Sequence, residues 1–179
     1  MLSYAITDPS TLRFDTLKED IRRFASKADM ILYRDKQNSD YNEKAALFVK
    51  AARSCDFGKT VLHNDIALAE AMEVDGVHLS SDQIEKTPLA KATDLFVIIS
   101  THTLEEARKA ERMGADMITF SPVFVTPGKG KPVGLEKLKE VSRAVNIPVI
   151  ALGGILTEEQ ITACEEAGAK GFASIRYFK

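Results

Sequence analysis

The sequence contains no tryptophan, only two cysteines and no long apolar segment. The cysteines, Cys55 and Cys164, are far apart, whereas a metal site needs closely spaced Cys and His ligands and a small secreted scaffold needs more cysteines. We therefore expect two reduced, structural thiols in a cytoplasmic protein. Because no apolar run approaches the ~20 residues of a membrane span, and no signal-peptide pattern precedes the first strand-like run, we expect no membrane partner.

The sequence also lacks a strong charge of either sign. Its 24 Lys and Arg residues nearly balance 26 Asp and Glu residues, for a formal net charge of -2. A nucleic-acid-binding protein usually presents a broad basic surface, so we expect no nucleic-acid partner. A chain of 179 residues is long enough for one buried core and too short for two ordinary domains. We therefore predict a single domain over residues 1–179.

Short apolar runs alternate along the chain with longer segments of helical periodicity. Most runs are continuously apolar, which is typical of parallel strands covered on both faces. We predict eight strands, at Leu2–Thr7, Met30–Arg34, Thr60–His63, Gly76–Leu79, Phe96–Ser100, Met117–Pro122, Pro148–Leu152 and Gly171–Ile175. Helical spacing of apolar residues predicts helices at Phe14–Ala28, Tyr41–Ser54, Leu104–Met113, Leu135–Val145 and Glu158–Ala167.

This alternation indicates a parallel sheet with right-handed crossovers. An open doubly wound sheet is the competing architecture, but eight evenly spaced units favour closure into a barrel. We therefore predict an α/β fold, a compact (β/α)₈ TIM barrel. Because the sequence stops at Lys179, just after the eighth predicted strand, we expect the final helix to be missing. That would leave an apolar flank between the first and seventh helices, which a second copy in a homo-oligomer could cover.

Cations follow two of the predicted strands, at the end of the barrel where the strand-to-helix loops form the concave surface. Arg34 and Lys36 follow strand two, and Lys129 and Lys131 lie in the loop after strand six. Guanidinium and ammonium groups bind phosphate oxygens. A solvated charge run is the alternative for Arg34 and Lys36, but their place at a strand end favours a phosphate site.

Polar residues after strands three and four complete this pattern. Asn64 and Asp65 follow strand three, and Asp82 follows strand four. The amide of Asn64 can donate to a phosphate, while Asp65 and Asp82 are candidate ligands of Mg²⁺, which prefers carboxylate and phosphate oxygens. Together with the cations, these residues predict a site for a magnesium diphosphate.

A second phosphate site is predicted after strands seven and eight. Gly153 and Gly154 allow backbone N–H groups to approach an anion, and Ser174 ends the next strand, which matches a common phosphate site of these barrels. A Gly-Gly pair also occurs in ordinary turns, so its place after strand seven carries the prediction. The loop of residues 124–132 is long enough to close over a substrate, with an ordinary surface loop as the alternative.

The three histidines do not predict a catalytic triad or a metal site. His78 lies in a buried strand, so we expect its ring to pack and form hydrogen bonds. His63 and His102 lie near the rim, but no Ser/His/Asp or Cys/His order accompanies them.

The residues at the strand ends resemble one family along nearly the whole chain. The matching segments, in order, are Tyr4-Ala5-Ile6-Thr7-Asp8, Leu32-Tyr33-Arg34-Asp35-Lys36, Asn64-Asp65, Asp75-Gly76-Val77-His78-Leu79, residues 100–107, Gly114-Ala115-Asp116, residues 121–129 and residues 147–155. Each segment is modest alone, but the ordered set resembles the thiamine-phosphate synthases and their thiazole-tautomerase relatives. The family resemblance implies the TIM-barrel fold.

The resemblance to the synthases implies a transferase that joins an aminopyrimidine methyl diphosphate to a thiazole phosphate and releases diphosphate, with Mg²⁺ as cofactor. The residues that it implies are Arg34, Lys36, Asn64 and Lys129 for the diphosphate, Asp65 for Mg²⁺, Ser100 and Thr126 for the substrates, and Gly154 for the thiazole phosphate. We expect Lys129 and Ser100 to take part in the reaction, with the charge of Lys129 meeting the leaving group.

The chain departs from the synthase pattern at several positions. Tyr33 stands where synthases commonly have Gln, Asp35 replaces Glu, and Gln83 aligns with the second acid after strand four. Gly128 and Arg176 replace hydroxyl residues. A thiazole-phosphate isomerase and a non-catalytic barrel that binds thiamine precursors are the alternative functions, although tautomerases usually carry a histidine where this chain has Pro122.

Overall fold

The computed structural model describes residues 1–36 and 38–179. Eight strands, each parallel to its neighbours, close into a barrel in which β8 pairs with β1. The strands are β1 Leu2–Ile6, β2 Met30–Tyr33, β3 Lys59–His63, β4 Gly76–Leu79, β5 Phe96–Thr101, β6 Met117–Phe120, β7 Val149–Leu152 and β8 Gly171–Ser174. The predicted TIM barrel is confirmed, with strand bounds close to the predicted ones.

The helices surround the barrel. They are α1 Leu17–Ala25, α2 Tyr41–Ala52, α3 Ile66–Ala71, α4 Thr87–Lys91, α5 Leu104–Arg112, α6 Gly134–Ala144 and α7 Glu158–Glu166, with a 3-10 turn at Ser81–Lys86 before α4. Helices α3 and α4 were missing from the prediction, because helices of six and five residues show too little periodicity to be recognised. None of the helices in the described part of the chain has the length and apolar character that a membrane crossing requires.

Successive residues of each strand point to opposite sides of the barrel wall. The buried apolar residues that point inward are Tyr4, Ile6, Met30, Leu32, Val61, Ile98, Met117, Ile150 and Ala173. Outward residues such as Ile31, Tyr33 and Leu62 join the larger core formed with the helices. Both faces of the sheet are therefore buried, which explains why the strands read as continuous apolar runs.

A short C-terminal turn follows β8, where many such barrels have a helix. This 3-10 turn, Arg176–Phe178, buries Phe178 completely and stacks it on Phe172 with 5.8 Å between the ring centroids. The Arg23 guanidinium of α1 donates a hydrogen bond to the Phe178 carbonyl oxygen over 2.5 Å. The expectation of an uncovered apolar flank is wrong, because this turn covers it. A homo-oligomer stays a prediction, without support from this flank.

Candidate active site

A cavity of about 540 Å³ lies where β2, β3 and β4 end. Its lining residues are Asp35, Lys36, Tyr41, His63, Asn64, Asp65, Ser80 and Asp82. Because parallel strands end at one rim, side chains far apart in the sequence meet here. Four predicted site residues, Lys36, Asn64, Asp65 and Asp82, are thus brought together around one space.

Three predicted cations lie close enough for their charges to interact, and one of them, Lys36, lines the cavity. The positive charge of Arg34, then burial, then the charge of Lys129 lower the pKa of Lys36. Burial lowers the pKa of the half-buried Arg34, although the Asp8 carboxylate opposes this shift. Lys129, from the loop after β6, is therefore near the two cations after β2. Like charges held close together favour a bound anion, because an anion relieves their repulsion.

Asn64 connects the ends of β3 and β4. It has a left-handed backbone, with φ of 60°, which asparagine tolerates better than most residues. Its Oδ1 accepts a hydrogen bond from the Ser80 backbone N–H over 2.8 Å, and the Ser80 hydroxyl donates to Asp82 Oδ1 over 2.5 Å. The Asn64 oxygen is therefore used within the protein, which leaves its NH₂ group as the donor for a ligand in the cavity.

Asp65 has a structural role that the sequence analysis did not assign. It is the N-cap of α3, and its Oδ1 accepts the Leu68 backbone N–H over 2.9 Å. Within residues 1–36 and 38–179, no hydrogen bond reaches Oδ2 of Asp65 or Oδ2 of Asp82. Each carboxylate therefore keeps one oxygen for a ligand.

These two carboxylates fit Mg²⁺ as it is usually bound with phosphate substrates. In the described part of the chain, no three His, Cys, Asp or Glu side chains cluster as a complete metal site. Magnesium in nucleotide and phosphate sites commonly takes one or two carboxylates and completes its shell with phosphate oxygens and water. Asp65 and Asp82, which line one cavity together with Lys36, match that donor set.

The loop after β6 packs against the glycine pair that follows β7. The Phe124 backbone N–H donates to the Gly153 carbonyl oxygen over 3.0 Å. A Cβ atom on Gly154, whose φ is 69°, would lie 2.5 Å from the Val125 carbonyl oxygen, and a Cβ on Gly153 would lie 3.2 Å from Thr126 Oγ1. The two glycines are therefore required by the packing of this loop, in addition to any contact with phosphate.

Ser174 and Thr126 both use their hydroxyl groups within the protein. Buried Ser174 donates to the Ile155 carbonyl oxygen over 2.9 Å and accepts the Tyr177 backbone N–H. Thr126 donates to the Phe124 carbonyl oxygen over 3.0 Å. Ser174 thus joins the loop after β7 to the C-terminal turn, and the substrate contacts predicted for both residues stay predictions.

A chain of polar side chains crosses the barrel interior below the cavity. His78 is buried, with its Nδ1 hydrogen-bonded to the Tyr4 hydroxyl over 3.0 Å and its Nε2 to the Ser100 hydroxyl over 2.9 Å. Burial, with smaller contributions from His63 and Arg34, lowers the pKa of His78 to about 3, so the ring is neutral near pH 7. The expectation that His78 packs and forms hydrogen bonds is confirmed. Ser100 therefore has a hydroxyl of fixed position at the inner end of the site.

His63 is a cavity residue that the sequence analysis left outside the site. It is the last residue of β3 and half-buried. Burial, followed by the charges of Arg34 and Lys36, lowers its pKa to about 4. The strand-end rule that selected Asn64 could have selected His63 as well. The third rim histidine, His102, is exposed, and its Nδ1 donates to the Ser121 carbonyl oxygen over 2.9 Å.

Comparison with known proteins places this site in a family. The model of the thiamine monophosphate synthase family matches residues 3–178. The chain belongs to this family. It is 40% identical to the thiamine-phosphate synthase of Methanocella arvoryzae, over 96% of this chain and 84% of that one. It is 34% identical to the thiamine-phosphate synthase of Syntrophomonas wolfei subsp. wolfei, over 96% and 85%. The structure of thiamine phosphate pyrophosphorylase from Pyrococcus furiosus superposes with a TM-score of 0.82 at 30% identity, covering 97% of this chain and 85% of that one.

Two departures from the thiamine monophosphate synthase pattern lie outside the cavity. Tyr33 points away from the barrel interior and stacks on Tyr41 and Phe48, with ring centroids 5.0 and 5.1 Å away. After β4, Asp82 lines the cavity, whereas Gln83 is not among the lining residues. Of the neighbours Asp82 and Gln83, the carboxylate of Asp82 is therefore the one that faces the cavity.

The remaining departures, Asp35, Gly128 and Arg176, are in or beside loops, and Asp35 lines the cavity. Gly128 has φ of 72°, in the region where glycine is favoured. The backbone conformation of the loop after β6 therefore explains why glycine stands at this position. Arg176 is exposed at the start of the C-terminal turn.

Proposed function

We propose that this chain is a thiamine-phosphate synthase, a transferase that joins an aminopyrimidine methyl diphosphate to a thiazole phosphate and releases diphosphate. Its membership of the family over residues 3–178 and the synthases to which it is 34 and 40% identical support this function. The observation that supports this function at the site is that Lys36, Asp65 and Asp82 line one cavity, with Arg34 and Lys129 near enough to lower the pKa of Lys36.

The cations would bind the departing diphosphate. In the proposed reaction the C–O bond breaks and its electron pair stays on the diphosphate, which leaves a pyrimidine methyl cation. The lone pair of the thiazole nitrogen then forms the new C–N bond. Such a reaction needs little acid–base chemistry and much positive charge near the leaving group. Arg34, Lys36 and Lys129 supply that charge, and the NH₂ group of Asn64 adds a donor.

Asp65 and Asp82 are the proposed ligands of Mg²⁺. Bound there, the ion would offset part of the negative charge of the diphosphate. The capping bond to Leu68 N–H and the Ser80 hydroxyl bond hold the two carboxylates in place before any ligand binds.

The other substrate would lie toward β7 and β8. We assign its phosphate to the backbone around Gly153 and Gly154, with Ser174 holding that backbone and Thr126 beside it. Ser100, oriented by His78, would contact the pyrimidine ring inside the barrel. This arrangement would place the two reacting groups between the ends of β5 and β7.

We also propose a cytoplasmic location. Cys55 and Cys164 are both free thiols in the structure, as is usual in reducing compartments.

A direct assay tests the function. The protein is mixed with the aminopyrimidine diphosphate and thiazole phosphate, with and without Mg²⁺, and thiamine phosphate is quantified. We expect product that depends on the metal. Absence of product while the thiazole phosphate still binds would refute the synthase function and favour an isomerase or a binding protein.

A matched pair of variants tests the metal site. Asp82→Asn should raise the Mg²⁺ concentration needed for half-maximal rate about tenfold or more, because a neutral amide is a weaker ligand than a carboxylate. Asp94→Asn, the same change at an exposed residue before β5, should leave it unchanged. If both variants need the same Mg²⁺ concentration for half-maximal rate, Asp82 is not a metal ligand.

A further inference from the structure

His63 presents a hydrogen-bonding group to the cavity that none of the described residues uses. Its side chain lines the cavity, and within residues 1–36 and 38–179 its ring nitrogens make no hydrogen bond. The backbone around it is held firmly, because the Tyr41 hydroxyl donates to the His63 carbonyl oxygen over 3.4 Å and lies 3.2 Å from the His63 backbone nitrogen. A ring that lines a cavity, with both nitrogens free of hydrogen bonds from the described residues, is suited to contact a ligand there.

The place of His63 in the barrel indicates which part of a substrate it would meet. Outward from it are Lys36, Asn64 and Asp82, which share the cavity with it and would hold the diphosphate. Inward from it is the ring of His78, 6.5 Å away between centroids, which is hydrogen-bonded to Ser100. His63 therefore lies between the diphosphate side and the ring side of the proposed site.

We propose that His63 is a catalytic residue that donates a hydrogen bond to the ester oxygen joining the pyrimidine methylene to the diphosphate. This inference rests on the proposed function, since it takes the substrate to be a methylene diphosphate ester of a flat ring. The ester oxygen is the atom that connects the two halves of that substrate, and the side chain of His63 lies between the groups that would hold those halves.

The chemistry gives this donor a defined role. An imidazole ring carries at least one N–H in either protonation state. As the C–O bond breaks, its electron pair moves onto the ester oxygen, and a donor already aimed at that oxygen stabilises the developing charge. The proton stays on the imidazole throughout, and the diphosphate leaves as an anion held by the cations.

Three substitutions at His63 separate this role from packing. His63→Leu keeps an apolar side chain of similar size but has no hydrogen-bond donor. His63→Asn and His63→Gln carry amide N–H groups at about the positions of Nδ1 and Nε2. We expect kcat for thiamine phosphate formation to fall about 10²-fold in His63→Leu, with the KM for thiazole phosphate and the melting temperature unchanged. At least one amide variant should recover a tenfold or larger part of that loss.

His102→Asn is the matched control, because His102 is a rim histidine that is exposed and bonded to Ser121. Its kcat should stay within about threefold of wild type. A His63→Leu enzyme within threefold of wild type, or amide variants no better than His63→Leu, would overturn the proposal.

A binding measurement keeps this test separate from the proposed function. Inorganic diphosphate with Mg²⁺ is titrated into wild type and His63→Leu by calorimetry. The leaving oxygen is a charged oxygen of that product, so loss of one hydrogen bond to it should weaken binding about tenfold or more. If wild type forms no thiamine phosphate but His63→Leu binds diphosphate less tightly, the synthase function fails and the His63 contact stands. Equal affinity of the two proteins, or no diphosphate binding by wild type, overturns the contact.

Discussion

Lowering the pH should destabilise this protein through the buried histidine His78. Both ring nitrogens of His78 are hydrogen-bonded inside the barrel, to Tyr4 and Ser100, and burial holds its pKa at about 3. In the unfolded chain the pKa is about 6.5. Below pH 6.5 the unfolded state therefore binds a proton that the folded state excludes.

The sign and size of the effect follow from this difference. Stability from the neutral ring is complete above pH 6.5 and is lost as the pH falls toward 3, because protonation favours unfolding. One proton of difference corresponds to about 1.4 kcal/mol per pH unit. Between pH 7 and pH 5, His78 should thus lower the free energy of unfolding by about 2 kcal/mol.

Urea unfolding at pH 7, 6 and 5, followed by circular dichroism, measures this effect in wild type and in His78→Gln. Contributions from the carboxylates and from His63 are present in both proteins and largely cancel. We expect wild type to lose about 2 kcal/mol more than the variant over this range. Parallel pH profiles, with a difference below about 0.5 kcal/mol, would mean that His78 is not held neutral by the fold.

Three further changes test the structure and the site. Phe178→Ala should lower the free energy of unfolding by about 3–5 kcal/mol, measured by urea unfolding, and a cost below about 1 kcal/mol would show that the C-terminal turn covers little of the core. Gly154→Ala should raise the KM for thiazole phosphate about tenfold or more, because the added Cβ would displace the loop at Val125. The KM for the diphosphate substrate should change less. An equal rise in both KM values would contradict a phosphate site there. Lys129→Ala should lower kcat about 10²-fold and change thiazole phosphate binding little, whereas equal losses in both would count against contact with the leaving group.

The strand-end rule explains why much of the site was predictable. Lys36, Asn64, Asp65 and Asp82 follow three different strands, and a closed parallel barrel brings all such positions to one rim. The structure confirms that these residues share a cavity. The ligands that they bind stay predictions, because residue type and position do not establish an affinity.

Other roles depended on contacts that no local pattern contains. Ser174 at the end of β8 stays a predicted phosphate ligand, and only the structure shows that its hydroxyl is hydrogen-bonded to Ile155 and Tyr177. Tyr33 departs from the synthase pattern, and only the structure shows that the alternation of β2 turns its side chain away from the barrel interior. His63 was left out of the predicted site because no triad or metal-ligand spacing accompanied it, although its side chain lines the cavity.

The sequence by itself determined the architecture and the rim of this protein. Continuous apolar runs and the helical spacing of apolar residues are local patterns that reflect which side chains are buried. Eight repeats of a strand followed by a helix leave few architectures in which every strand is buried on both faces. Only the tertiary structure decided that Phe178 covers the last flank, that the loop after β6 rests on Gly153 and Gly154, and that His63 and His78 connect the cavity to Ser100. These contacts join residues distant in the chain, so their geometry exists only once the barrel has closed.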